Sequence, residues 1–514
     1  DYSVTEPAKF RFNTVPEGNT YCVIASKAYP DYQDYNSPYR TTDVIIEQAA
    51  DPVISLTTSN ERSIGFSIGA TEDNTTIQID WGDGNLVDKV INSTKTSIQG
   101  TPTDTKIIKI YTDAAKIKEI SLAYCDYLTG VDLSRCTALE ILSIKESSKI
   151  AIITYPENIA TITSLTIENS NIRNLDIHDW SGLKNLNYAP SGTATIVLPD
   201  ETENLETVIL KKLSSKTIDL SKYTNLTSLE ATNNSSLEEL DVNTCSKLSK
   251  LICKSNTKLA TLTLPTAKTA LTELNCEYTA LASINLKEYT NLQMLNCSGI
   301  KEATLPENAA TMTSLTCKEN GLKTLDISSY INLTYLDCSY NELTEIKVPD
   351  SVKYIDDYAF IGCSFNKVLI GKNVEYIGDE AFGYFDYILS NKGNSNILNP
   401  YYVINGYSST AAEKYAKENG IKFIDLNNQP ADTEQTYTYI NDLVAGDINL
   451  DNKVDVNDVT LLQNYSAGNA EFNDFQYKNS AVTRYITSIT INNVTEIQRY
   501  LSGYIDTLEI YSVG

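Results

Sequence analysis

From residue 117 onward the apolar residues fall into one repeating frame, L-x-x-L-x-[CLI]-x-x-[NST], visible in "NLTYLDCSYNELTEI", "SLTCKENGLKTL", "NLQMLNCSGI" and "ELNCEYTALASI". Its first position falls at Ile117, Leu139, Ile162, Leu183, Leu205, Leu226, Leu248, Leu271, Leu292, Met312 and Leu333, in steps of 20 to 23 residues. Such a period predicts stacked coils, each contributing one short strand whose first, fourth and sixth residues face inward. Neighbouring strands then pair into a parallel sheet. The ninth position is Asn234, Asn256, Asn320 and Asn341 in four coils. An inward amide there is expected to bond the free backbone groups of the turn in its own coil and the next. The early coils, 117 to about 225, lack the cysteine at the sixth position, which leaves room for a slip of a residue or two in register.

These are leucine-rich repeats by period and frame. After Leu343 the frame changes to V-x-x-I-x-x-x-A-F in "SVKYIDDYAFIGC" and "NVEYIGDEAFGYF", 22 residues apart. Those copies resemble the bacterial surface-antigen (BspA-like) subclass, and "STAAEKYAKENGIKFIDL" resembles the short helix and strand that close such arrays. An open coil end exposes apolar surface, so a cap is physically required. Upstream, "PVISLTTSNERSIGFSIGA" and "TTIQIDWGDGNLVDKV" alternate with period two between turn signals, which predicts a small antiparallel β-sandwich over 51–114. Its "WGDG" turn is similar to that of PKD-like domains. Residues 1–50 hold strand-like runs, 115–348 the solenoid, 349–426 the BspA-like repeats and cap, and 427–444 a polar linker. The expected fold class is α+β and multidomain.

The stretch "GDINLDNKVDVND" near the C-terminus offers Asp447, Asn449, Asp451, the Lys453 carbonyl, Asp455 and Asp458 at positions 1, 3, 5, 7, 9 and 12 of a loop. That is the ligand order of an EF-hand, where hard oxygens wrap a cation needing six to eight contacts. Asn452 stands at the turn position where Gly is usual, and tolerates the left-handed conformation better than most residues. With Asp at position 12 and "VTLLQNYSAG" following, the segment 445–514 resembles a dockerin, an all-α, EF-hand-like module that plugs cellulosomal proteins into cohesins. The second repeat is found by its helix, "VTEIQRYLSG". Where its ligands should stand are Val482, Arg484, Ile486, Thr490 and Asn493, so one calcium ion in the first loop is expected and none in the second. The resemblance implies cohesin contacts at Val456, Asn457, Gln463 and Asn464 in the first repeat, and Ile491, Asn492, Gln498 and Arg499 in the second. The two faces differ, which implies a single binding orientation.

Composition narrows the partners. The chain has 514 residues, 66 acidic against 41 basic, for a formal charge of -25. Such an acidic surface repels phosphate backbones and anionic lipid heads, so no nucleic acid and no membrane insertion are expected. The start "DYSVTEPAKF" lacks a basic and an apolar leader region, which reads as a mature secreted chain. Cys253, Cys276, Cys297, Cys317 and Cys338 recur at the repeat period, so they are expected as free, buried thiols in a column and not as a metal site. His178, the single histidine, excludes H-E-x-x-H zinc sites and is expected as a turn residue on the solenoid surface. No insertion long enough to build a cleft interrupts the array.

These readings together give a secreted, non-catalytic, monomeric binding protein of the cellulosome or cell surface. Its dockerin docks on a scaffoldin cohesin in a calcium-dependent way, and its solenoid presents a site for a protein or a plant cell-wall glycan. The 34 tyrosines invite a sugar-stacking reading of that site. The rival is a polysaccharide-degrading cellulosomal component, since a glycosidase needs only two carboxylates.

Overall fold

The computed structural model describes residues 51–103, 105–201, 203–307, 309–363, 365, 367–385, 397–398, 402–428 and 454–466, with 495, 497–499 and 501–502. The chain divides into two compact units, one ending at Leu205 and the other beginning at Glu206. Among the described residues no helix is long and apolar enough to cross a membrane.

The first unit opens with β1 (Ile54–Thr58), β2 (Ile64–Ala70), β3 (Thr75–Asp80), β4 (Leu86–Ile91), β5 (Thr96–Gly100) and β6 (Ile107–Tyr111). The first coils follow with β7 (Ile117–Ala123), β8 (Leu128–Asp132), β9 (Ile141–Lys145) and β10 (Ile152–Thr154). One sheet runs β10-β8-β1-β6-β3-β4, and the other begins β5-β2-β7-β9. Both therefore cross the boundary expected at 114: β1 pairs antiparallel with β8, and β2 pairs antiparallel with β7. The physical reason is the open end of the coil stack, whose first strands carry unpaired backbone edges. β1 and β2 cover those edges, so residues 51–111 cap the solenoid where a separate domain was expected. The half-buried Trp81 lies near Phe66, at 6.2 Å between ring centroids, and against Gly100, where a Cβ would lie 2.2 Å from the indole.

Each coil obeys the frame read from the sequence. In the first unit Leu142 pairs in register with Leu165, and Leu165 with Leu186. In the second unit Val208 pairs with Leu229, and the row continues through Leu251, Leu274, Leu295, Leu315 and Leu336 to Ile355 and Ile377. The early coils do not slip. A slip of one residue would turn every inward side chain to solvent, and these leucines are all 2% exposed or less. Each buried Leu or Ile is worth roughly 1.5–3 kcal/mol of transfer free energy, so a slip is far too costly to occur. After the strand the chain turns through a left-handed residue at the same frame position: φ is +59° at Lys212, +58° at Asn233, +59° at Ser255, +53° at Tyr278, +85° at Gly299, +55° at Glu319 and +56° at Tyr340.

Next to that turn stands the ninth-position asparagine, fully buried. Asn256 Oδ1 accepts the Asn234 backbone N–H at 2.8 Å, while its Nδ2 donates to the carbonyls of Ala231 and Cys253, both at 2.7 Å. Asn341 repeats the pattern, accepting from Asn320 and Leu322 and donating to the Cys317 and Cys338 carbonyls. The amide thus joins its own coil to the preceding one, not to the next as the sequence reading had it. Ser147 plays the same part in the first unit, accepting from the Cys125 N–H at 3.0 Å.

The last coils carry Ala359–Phe360 and Ala381–Phe382 inward, with Phe360 and Phe382 stacked at 4.7 Å. Helix α1 (Ala411–Glu418) and the strand Lys422–Asp425 follow, as the closing segment implied. The Tyr415 hydroxyl accepts from the Phe382 N–H at 3.0 Å and donates to its carbonyl at 3.1 Å, satisfying backbone groups that a further coil would otherwise pair.

Replacing Asn256 with Ala leaves the Asn234 N–H and two carbonyls buried without partners. The expected loss is about 1–3 kcal/mol, read as a lowered midpoint in chemical denaturation. The column thiols Cys253, Cys276, Cys297, Cys317 and Cys338 are free and buried, and should stay inert to an aromatic disulfide reagent until denaturant is added.

Candidate binding surface

The outward strand positions of the second unit form its solvent face, and their chemistry changes along the stack. In the earlier coils opposite charges sit across neighbouring strands: Lys211–Glu230 at 2.7 Å, Lys250–Glu273 at 2.8 Å and Lys254–Glu277 at 3.6 Å. Half-exposed pairs of this kind contribute about 0–1 kcal/mol each. They neutralise the face more than they hold it together.

The later coils add a row of tyrosines, beside one further such pair, Lys353–Glu375 at 2.6 Å. Tyr335, Tyr354 and Tyr376 occupy the third frame position of three successive coils and pair directly in register. Tyr354 is 53% exposed and Tyr376 50%. The Tyr335 hydroxyl donates to Asp356 Oδ2 at 3.0 Å, and that of Tyr376 to Asp357 Oδ1 at 3.3 Å. Asp357 Oδ1 also accepts the Asp379 N–H at 2.9 Å. The carboxylate fits there because residue 378 is glycine, where a Cβ would lie 2.3 Å from it. Burial, then the bond to Asp356, pushes the Tyr335 phenol up, and the Asp357 charge does the same to Tyr376. Below Tyr335 the buried Asp337 pairs with Lys318 at 2.5 Å, and its burial holds the carboxyl above the usual range against the pull of that ammonium. The repeat alignment held the signal for this row, in "LTYLD", "VKYID" and "VEYIG", but the sequence reading took the tyrosines only in bulk.

Of the expected calcium ligands, Asp455 and Asp458 are described; Asp447, Asn449, Asp451 and Lys453 lie outside the described residues. Asp455 and Asp458 meet at the start of helix α2 (Val456–Ser466): Asp455 Oδ1 accepts the Asn457 N–H at 2.7 Å, and Asp458 Oδ2 accepts the Asp455 N–H at 2.8 Å. This is a reciprocal cap with Asp at the third helical position. The Asp458 carboxylate is fully buried beside the half-buried Asp455, a pair of hard oxygen donors of the type calcium takes. Of the expected cohesin contacts, Val456, Asn457, Gln463 and Asn464 are exposed on α2, while Val459 and Leu462 on its other side are buried. Gln498 and Arg499 are exposed beside the buried Ile497, and Ile491 and Asn492 lie outside the described residues.

His178 is held in the first unit between two carboxylates, with Nδ1 2.7 Å from Asp176 and Nε2 3.0 Å from Asp179. Both ring nitrogens are thereby engaged by acids. Burial pushes the Cys253 thiol up to about 12 and holds Cys276 and Cys338 well above their ordinary value, so these three stay protonated at neutral pH. The Cys317 and Cys338 sulfurs lie 3.2 Å apart as a thiol contact.

Six copies of the BspA type leucine-rich repeat region match residues 100–189 and 293–388. The functional domain of InlJ from Listeria monocytogenes, described as including a cysteine ladder, is similar over 60% of this chain and 71% of its own, at 18% identity and a TM-score of 0.38. No curated protein matches the chain. Repeats of this type suggest a protein-binding or adhesion surface and are typical of non-catalytic proteins.

The Asp176 hydrogen bond raises the His178 pKa above its ordinary 6.5, and the charges of Asp176, Asp179 and Asp200 add to it. The stabilisation from this contact is fully present below the unfolded value and is lost as pH rises through the raised one. Since the chain has one histidine, its imidazole proton resonance should titrate with a midpoint above 6.5 and return toward that value in Asp176→Asn.

Proposed function

We propose that this is a secreted, non-catalytic binding protein tethered by its C-terminal module, with calcium held in the first loop of that module and a scaffoldin cohesin as its dock. Asp447, Asn449, Asp451, the Lys453 carbonyl, Asp455 and Asp458 would hold the ion, whose charge offsets the crowded carboxylates and orders the loop ahead of α2. Val456, Asn457, Gln463 and Asn464, with Ile491, Asn492, Gln498 and Arg499, form the cohesin face. The solenoid then carries a protein-binding surface on its strand face.

One observation supports the tether above the rest. The start of α2 buries Asp458 while leaving Val456, Asn457, Gln463 and Asn464 exposed, which is the division of labour between ligand and contact residues that the loop spacing implies. For the solenoid, the outward positions vary in chemistry while the inward ones do not, as expected where only the inside is committed to folding.

Calorimetric titration of the full chain against a panel of cohesins, with calcium and then with chelator, tests the tether. The expected result is one calcium-dependent site, abolished by Asp447→Ala and weakened by Gln498→Ala and Arg499→Ala. Absence of binding to every cohesin under both conditions would contradict it and leave the solenoid as the seat of function.

A further inference from the structure

The strand face of the second unit is neutralised pair by pair up to Glu277; beyond it Lys318–Asp337 and Lys353–Glu375 continue the pairing, but carboxylates now outnumber the cations beside them. From the strand that holds Asp337 onward, its outward side presents Tyr335, Tyr354 and Tyr376 in one row, flanked by Asp356, Asp357 and Asp379. All three of these aspartates are exposed, and none enters an ion pair among the described residues. From this charge complementarity we propose that the tyrosine row is the docking site for an extended, lysine- or arginine-bearing segment of a partner protein. The proposal rests on the reading of the strand face as a protein-binding surface and names the chemistry of its partner.

Two properties of the row favour a cation. Tyrosine faces attract ammonium and guanidinium groups through the ring quadrupole, and carboxylates alongside strengthen that attraction. The hydroxyls of Tyr335 and Tyr376 are already tied down to Asp356 and Asp357, so the ring orientations are set before a partner arrives. Successive rings follow the strand spacing of roughly 4.8 Å, which lets an extended chain crossing the coils meet one ring after another. A neutral glycan would use the ring faces and gain nothing from the unneutralised charge.

The neighbouring Lys353 does not cancel this charge, since it is committed to Glu375 at 2.6 Å. Lys318 pairs with Asp337 and also feels the Asp356 charge, which leaves Asp357 and Asp379 as the carboxylates it does not reach. Gly378 completes the arrangement by leaving room for the Asp357 carboxylate.

The full chain is tested by calorimetry with a hexaarginine peptide and by display selection of random twelve-residue peptides. Because the chain is acidic overall, the decisive variants leave its charge unchanged: Tyr354→Ala and Tyr376→Ala, with Tyr124→Ala, exposed in the first unit, as the control. Each Tyr354→Ala or Tyr376→Ala change is expected to weaken hexaarginine binding about fivefold, with Tyr124→Ala near wild type and all three sharing the wild-type unfolding midpoint. Selected peptides should be rich in lysine and arginine and should be lost on the double variant. Raised salt should weaken binding. Selection of neutral or acidic peptides that still need the tyrosines would overturn the cationic partner while leaving the strand face a protein-binding surface. A soluble neutral β-glucan binding in a Tyr354-dependent way, with no peptide doing so, would overturn both.

Discussion

Every coil in this chain leaves its strand backbone with donors and acceptors on two edges, and only an equivalent strand at the same height can satisfy them. Height is set by the inward residues. Leu251 faces Leu274, Leu274 faces Leu295, and each row of apolar side chains fills the space left by the one before. Asn256 and Asn341 extend the same rule to the turns, where the strand ladder has ended but backbone groups remain buried. Each unit obeys it at an edge of its own: β1 and β2 close the first coils of the first unit, and the Tyr415 hydroxyl with α1 closes the last coils of the second.

A fold fixed from the inside leaves the outside free. Third frame positions lie outside the core, as fifth positions do in coils other than that of the buried Asp337, so they can be lysine and glutamate in one coil and tyrosine and aspartate in another at little cost to stability. That freedom is why the chemical change along the strand face carries functional meaning. The buried thiols illustrate the converse: Cys253, Cys276 and Cys297 sit where Leu or Ile stands in other coils, are raised well out of the reactive range, and serve as small apolar residues.

The repeat frame was legible in the sequence because burial imposes it residue by residue, and Ile117 through Leu333 all stand inside as read. The cap at "STAAEKYAKENGIKFIDL" was legible for the same reason, an amphipathic helix and strand after the last apolar frame. The joining of residues 51–111 to the first coils was not, because period-two alternation says which face of a strand is buried but nothing about which strand lies at its edge. The direction of the asparagine bonds was hidden likewise, since an inward amide suits either neighbouring coil and the choice depends on backbone geometry. The tyrosine row was legible at the third frame position of three successive copies, but burial does not constrain outward positions, so their recurrence says nothing about the fold. Of the expected calcium loop only Asp455 and Asp458 at the head of α2 are described, and their burial is something that spacing alone does not give.

Amide hydrogen exchange along the second unit measures the register lock most directly. The account predicts one slowly exchanging class across the strand amides of Leu229, Leu251, Leu274, Leu295, Leu315 and Leu336, with fast exchange confined to exposed positions of the connecting turns. Fast exchange at any one of those strands, inside an otherwise protected array, would show a coil out of register and contradict the claim that inward side chains alone fix the stack.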